Sequence, residues 1–231
     1  MKICLLSVVC LIAFTCTSFA QDTIYIHEIS EYQKNSSSDT KKELRLNLSL
    51  PYVNSFRITP ENEGIKENTG FWGLSVGLDY YHSKKQFFNL GFSGVSDFFV
   101  PFPASPGIEG EYELMTSTYI SLSNNHIIRN FKMGYGFSYA RNSWKLEYYG
   151  YNNNPPQTRD PVKKSHKVLG FVFPIYFSME DNFEFVEFID LLRHLNIGIV
   201  YRPTFYRPNM TNKFMYEHII SIDFAWKIKL N

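Results

Sequence analysis

From His218 to Asn231 the chain reads HIISIDFAWKIKLN, with Ile220, Ile222, Phe224, Trp226, Ile228 and Leu230 separated by Ser221, Asp223, Ala225, Lys227 and Lys229. A side-chain period of two belongs to an extended strand whose two faces meet different surroundings. The same period recurs upstream over 44–50, 72–80, 88–100, 112–122, 131–139, 169–179 and 195–205. Most of these segments come close to the roughly 9 to 11 residues that a tilted strand needs to cross a bilayer. On none of them does the apolar face carry a charge, and an Arg or Lys there would cost about 2 to 4 kcal/mol at the midplane. The pattern predicts an all-β fold, a closed antiparallel up-and-down transmembrane barrel of eight strands. Ten strands stay open if flanking segments join the sheet.

The opposite face collects Arg45, Asp79, Asp97, Glu113, Lys132, Arg202, Asp223, Lys227 and Lys229, together with Gly73, Gly77, Gly91, Gly134, Gly136, Gly170 and Gly198. An eight-stranded interior is about filled by its own side chains. The near balance of sign therefore predicts a structural ion-pair network in the lumen rather than an ion path, because buried charges persist when paired. Glycine weakens a strand unless something must come close, and long side chains reaching across a narrow lumen supply that something.

The ends of the chain read differently. Lys2, the apolar run 3–14 and Ser18-Phe19-Ala20 have the form of a secretory leader cleaved before Gln21. All three cysteines lie inside it, at Cys4, Cys10 and Cys16, so no disulfide or thiolate metal site is expected beyond residue 20. No cofactor is implied. The 23 Lys and Arg against 22 Asp and Glu leave no basic excess to attract nucleic acid. Residues 21–41 read as an extended tail with a Ser-rich linker at Ser36–Ser38. Asp22-Thr23-Ile24-Tyr25-Ile26 resembles the energy-coupling box of large outer-membrane transporters, but the chain has no room for their 22 strands and plug.

Long connections are expected over 51–70, 101–111, 141–167 and 207–217. Short ones are expected at Ser83-Lys84-Lys85 and Ser123-Asn124-Asn125. Between 180 and 194, the spacing of Phe183, Val186, Phe188, Leu191 and Leu192 fits a short amphipathic helix over 183–192, or else a strand extension. Trp144, Tyr148, Tyr149 and Tyr151 form either a binding patch on a surface loop or the upper end of a longer strand.

Leader, alternating strands, alternating loop lengths and an aromatic last strand together resemble the small outer-membrane β-barrel superfamily of Gram-negative bacteria, of the eight-stranded OmpA/OmpX type. The resemblance covers about residues 42 to 231. It implies a monomer in the bacterial outer membrane with both termini in the periplasm. Its partners would be outer-membrane lipid and lipopolysaccharide, and the barrel-assembly machinery that reads the C-terminal strand. Members usually end on an aromatic residue, whereas this chain has Phe224 and Trp226 but ends Leu230-Asn231. The implied role is structural, adhesive or surface-binding, without catalysis.

Two rivals stand beside it. A secreted lipocalin-like barrel would turn the apolar face inward around a ligand, and the aromatic volume of Phe88, Phe92, Phe137, Phe171, Phe173 and Trp226 argues against that. An acyl-modifying barrel enzyme would need a nucleophile and a base near the outer rim, where His166 and His218 fall. Ser165 adjoins His166, but neighbours on a strand point to opposite faces.

Overall fold

The computed structural model describes residues 42–98, 110–149, 160–179 and 195–230, with the side chains of 110, 111, 148 and 149 excepted. The expected leader, the tail, the 183–192 segment and Tyr151 lie outside the described residues. The strands are β1 (Glu43–Ile58), β2 (Lys66–Gly70), β3 (Gly73–Ser83), β4 (Gln86–Ser96), β5 (Gly110–Ile128), β6 (Phe131–Tyr149), β7 (Val162–Ser178), β8 (Leu195–Tyr206) and β9 (Phe214–Lys229). From β3 to β9 each strand pairs antiparallel with the next. On one side β1 pairs with β3 through Glu43–Ser49 and with β2 through Asn54–Ile58; on the other it pairs with β9 from Arg45 to Arg57. That last pairing closes the sheet on itself, which removes the exposed edges an open sheet presents. Because β2 and β3 are two halves of one wall position, broken at Phe71-Trp72, the ring has eight strand positions.

At the lower end lie the first and last described residues and the tight turns at Lys84-Lys85 and Arg129-Asn130. Over the lower half, the outward row of each strand is apolar and exposed. Leu74, Val76 and Leu78 line β3; Phe88, Leu90 and Phe92 line β4; Phe131, Met133, Tyr135 and Phe137 line β6; Phe171, Phe173 and Ile175 line β7; Ile220, Ile222 and Ile228 line β9. Phe137 is 70% exposed and Leu74 67%, values that make sense only against an apolar surrounding. The lipocalin orientation, with these side chains turned to the middle, is not the one observed.

In the upper half the two faces exchange character. Outward positions of β6 become Arg141, Ser143 and Lys145, and those of β7 become Lys167, Ser165 and Lys163, while the inward row turns apolar. Phe56, Ile58, Val95, Met115, Tyr119, Ala140, Trp144, Val168 and Ile219 form one buried cluster, with Leu146 and Val162 packed against it. This part of the barrel is organised as in a water-soluble protein, with apolar residues inside and polar ones outside.

The exchange explains where the strand ends differ from expectation. The expected loops over 51–70 and 141–167 are more than half strand, since β1 runs to Ile58, β2 spans Lys66–Gly70, β6 runs to Tyr149 and β7 starts at Val162, while 207–217 is a connection up to Phe214, where β9 begins. In β1 a bulge between Pro51 and Val53 inserts Tyr52 and shifts the register against β9. It reverses the parity of the strand, so that Asn54, Phe56 and Ile58 point inward as Arg45, Asn47 and Ser49 do below. Asn54 is fully buried, and its side chain donates to Pro51 O (2.9 Å) and Trp72 O (3.0 Å), carbonyls at the bulge and at the β2–β3 break. Ser123-Asn124-Asn125 is not a turn. It is the middle of the β5–β6 pairing, and the chain reverses at Arg129, whose φ is 54°. Ser121, Ser123 and Asn125 are polar because they face the lumen, not because the chain turns there.

Gly198 shows how closely that lumen is packed, since a Cβ there would run into the Tyr176 ring; one on Gly136 would instead run into the backbone of Leu122 on the neighbouring strand.

Candidate functional site

The lower lumen is polar. Asp79, fully buried, accepts from Asn89 Nδ2 (2.6 Å) and pairs with Lys227 Nζ (2.5 Å), which also lies 3.9 Å over the Phe87 ring. Arg202 donates to Ser221 Oγ (3.1 Å) and covers the Tyr119 ring at 4.3 Å. Asp223 Oδ2 accepts the Tyr176 hydroxyl at 2.5 Å. Lys132 Nζ donates to Asn196 Oδ1 (2.6 Å) and Ser178 Oγ (3.3 Å). At the lower rim Glu43 takes both Arg45 (2.7 Å) and Lys229 (3.8 Å). Within the set of lumen charges named from the sequence, Asp79 and Lys227 form a close ion pair, and the charge of Arg202 lies near enough to act on Asp223. The remaining members meet hydroxyls, amides, rings or carboxylates outside the set. The space left between Asn47, Ser75, Asn89, Ser121, Arg202 and Asp223 is about 40 Å³, room for roughly two to four water molecules.

Asp97 and Glu113 sit higher, at the level of the apolar cluster. Asp97 takes Met115 N (2.8 Å) and Asn68 Nδ2 (2.7 Å), while Glu113 pairs with Lys66 at 2.6 Å. Lys66 in turn lies 4.8 Å over the Trp144 ring. Trp144 is 2% exposed. The strand-extension reading of this segment is the one that fits, and a patch on the surface loop cannot include Trp144. Tyr148 and Tyr149 are the last residues of β6, their side chains not among those described.

The most connected site was not visible as such in the sequence. Glu217, fully buried on β9, accepts from His166 Nε2 (2.9 and 3.0 Å), Asn142 Nδ2 (2.8 Å), the Thr59 backbone N–H (2.9 Å) and Arg207 (3.5 Å). Asn142 and His166 are cross-strand partners on β6 and β7, and Ser117 on β5 donates to Asn142 Oδ1 at 2.7 Å. Arg207 also donates to Thr59 O (2.7 Å) and to Asn212 O (3.0 Å), which ties down the β8–β9 connection. This polar layer crosses the apolar cluster, with Tyr119 and Met115 flanking Ser117, and Ala140 and Trp144 flanking Asn142, along their strands. The signal was the position of Glu217 on the inward row Met215, Glu217, Ile219, Ser221, overlooked because the strand was expected to begin at His218.

The rim histidines do not assemble a catalytic pair with Ser165. Ser165 points outward and accepts from Arg141 at 3.1 Å, while His166 points inward to Glu217. Ser117 reaches His166 only through Asn142 and Glu217. His218 faces outward between Tyr201 and Tyr216, 6.1 and 5.3 Å between ring centres.

No protein-family model and no curated protein matches the chain. Among solved structures, Ail, the attachment invasion locus protein of Yersinia pestis, is similar at a TM-score of 0.49 and 8% identity, over 82% of this chain and 99% of that one. Neisserial surface protein A (NspA) reaches 0.43 at 10% identity, over 81% and 97%. A major outer membrane protein from Thermus thermophilus reaches 0.41 at 10%, over 80% and 99%. These likenesses are distant, and the assignment of a closed eight-position antiparallel barrel rests on the ring of strand pairings in this chain.

Proposed function

We propose that the chain is a small outer-membrane barrel protein whose lumen is filled by side chains, and that it serves as a structural or surface-binding protein through the connections at its upper end. The observation that carries this reading is the exposed apolar belt around the lower half of the ring, set against a polar interior. A barrel satisfies every backbone group within the sheet, which is what a strand needs in hydrocarbon. The side chains of Asn89, Tyr176, Arg202, Asp223 and Lys227 that reach into the lower lumen support the reading of a filled interior. The test is fractionation followed by electrophoresis with and without boiling. A membrane-bound band whose mobility shifts on heating is expected; a mature chain soluble without detergent would overturn the proposal. In planar bilayers, Arg202→Ala is expected to lower the heating midpoint without adding current.

A further inference from the structure

Closure of the ring protects strand edges only up to the height that every strand reaches. β7 pairs with β6 up to Val162, but with β8 only as far as Leu169. β8 ends at Tyr206 and β9 begins at Phe214, so both stop short of the upper part of β7. The seven residues Val162–Val168 therefore have no strand on their β8 side among the described residues. At about 3.3 Å per residue this bare edge is roughly 23 Å long. A cleft of about 380 Å³ opens in front of it, between Lys163–His166 on one side and Glu61 and Asn62 of the β1–β2 hairpin on the other, with Met210 of the β8–β9 connection beside them. The walls of the cleft are fastened. Lys164 Nζ reaches Glu61 O and Glu63 Oε1 across it, each at 2.7 Å, and Arg207 ties the connection to Thr59 O.

An unpaired edge is a template for another strand, because its backbone N–H and C=O groups are already set in register. Lysines on such an edge keep neutral strands and like strands from pairing with it. Here Lys163 and Lys167 stand exposed on the outward row with Ser165 between them, and Val162–Val168 contains no carboxylate. No carboxylate among the described residues lies within ion-pair distance of Lys163 or Lys167. A second copy of this edge is repelled, whereas a strand that brings acids gains from opposite charges directly across the pair. Resting on the proposed surface-binding role, we propose that Val162–Val168 takes up an extended acidic peptide segment of a partner protein by strand addition. The segment occupies the wall position that β8 leaves, with acids four residues apart facing Lys163 and Lys167. The edge begins just above Leu169, an outward residue of the belt, and so faces the outside rather than hydrocarbon.

The test uses the full mature chain folded in an uncharged detergent, and a seven-residue threonine peptide with glutamate at its second and sixth positions. Those two positions fall opposite Lys163 and Lys167 in either strand direction. Amide hydrogen exchange over Val162–Val168 is the readout, because pairing of the edge slows exchange there whereas contact between side chains alone does not. The glutamate peptide is expected to protect the edge at a concentration about threefold to tenfold lower than the same peptide with glutamine, as two cross-strand charge pairs allow. In Lys163→Glu/Lys167→Glu the preference should pass to a lysine peptide. N-methylation of alternate peptide residues adds a backbone test: one of the two alternating sets is expected to abolish protection and the other to spare it. No protection by the glutamate peptide, in a protein that still shows the heat-dependent shift, overturns this inference alone. So do equal effects of the two methylated sets, or protection that rises with protein concentration without peptide, which would make a second copy the occupant. A chain that neither needs detergent nor shows the shift overturns the membrane location as well.

Discussion

Glu217 carries more of the upper barrel than any residue singled out from the sequence, because it gathers donors from the end of β1, from β6 and β7, and from the connection after β8. Replacing it with Ala leaves His166 and the Thr59 N–H without that acceptor, while Arg207 keeps Thr59 O and Asn212 O. Loss of a buried charged partner of this kind costs about 3 to 5 kcal/mol, and urea unfolding of the detergent-folded barrel should show a loss of that size. Asp97 is a second buried carboxyl at this level, held above the usual aspartate range by burial, against the opposing hydrogen bonds from Met115 N and Asn68. A raised value means that the folded state favours the protonated form. Its stability contribution is full below the ordinary aspartate value of about 3.9 and is lost as pH rises through the shifted one. The stability of the wild type relative to Asp97→Asn is therefore expected to fall as pH rises above about 4, and unfolding midpoints at a series of pH values check it; a difference independent of pH would count against the shift. Asp97 sat on an inward row legible from alternation, whereas Glu217 fell in an expected connection. Their partners were not legible, since which donors converge on a side chain depends on register across several strands.

Strand identity was readable wherever one face met lipid, and unreadable where the two faces traded places. The segments around Trp72–Tyr80, Phe131–Tyr139 and Ile220–Leu230 match their strands because apolar and polar positions alternate without interruption. In β1 the extra residue at the bulge breaks that alternation, and Asn54 beyond it looks like loop composition. Its amide instead satisfies Pro51 O and Trp72 O, while its oxygen accepts Ser221 Oγ at 2.7 Å. Asn54→Leu fills similar space but takes the side-chain donor from Pro51 O, while Trp72 O keeps Ser96 N–H and Ser221 Oγ keeps Arg202, so a cost of about 1 to 3 kcal/mol is expected. A lowered heating midpoint, together with faster amide exchange at Tyr52, Val53 and Phe71, is the expected outcome. If the midpoint were unchanged, the bulge would not depend on this side chain.

At the scale of the molecule, the same substitution should have opposite consequences at two heights on one wall. Leu78, on the outward row of β3, is 42% exposed in the belt, whereas Thr69 on β2 is outward and exposed above it. Arg at 78 is expected to cost about 2 to 4 kcal/mol and Arg at 69 within about 1 kcal/mol, measured by reversible folding into phospholipid vesicles. Equal costs would mean that no boundary between lipid and water lies between them. The height of the upper half has a further meaning. From Tyr139 to Tyr149, β6 climbs ten residues past its last belt residue, and at about 3.3 Å per residue with a tilt near 45° that is roughly 20 Å above the hydrocarbon. On the proposed membrane location the barrel thus carries its own pedestal, braced by the buried cluster and the Glu217 layer, and a partner that docks at the upper strand ends is held at a set standoff from the bilayer.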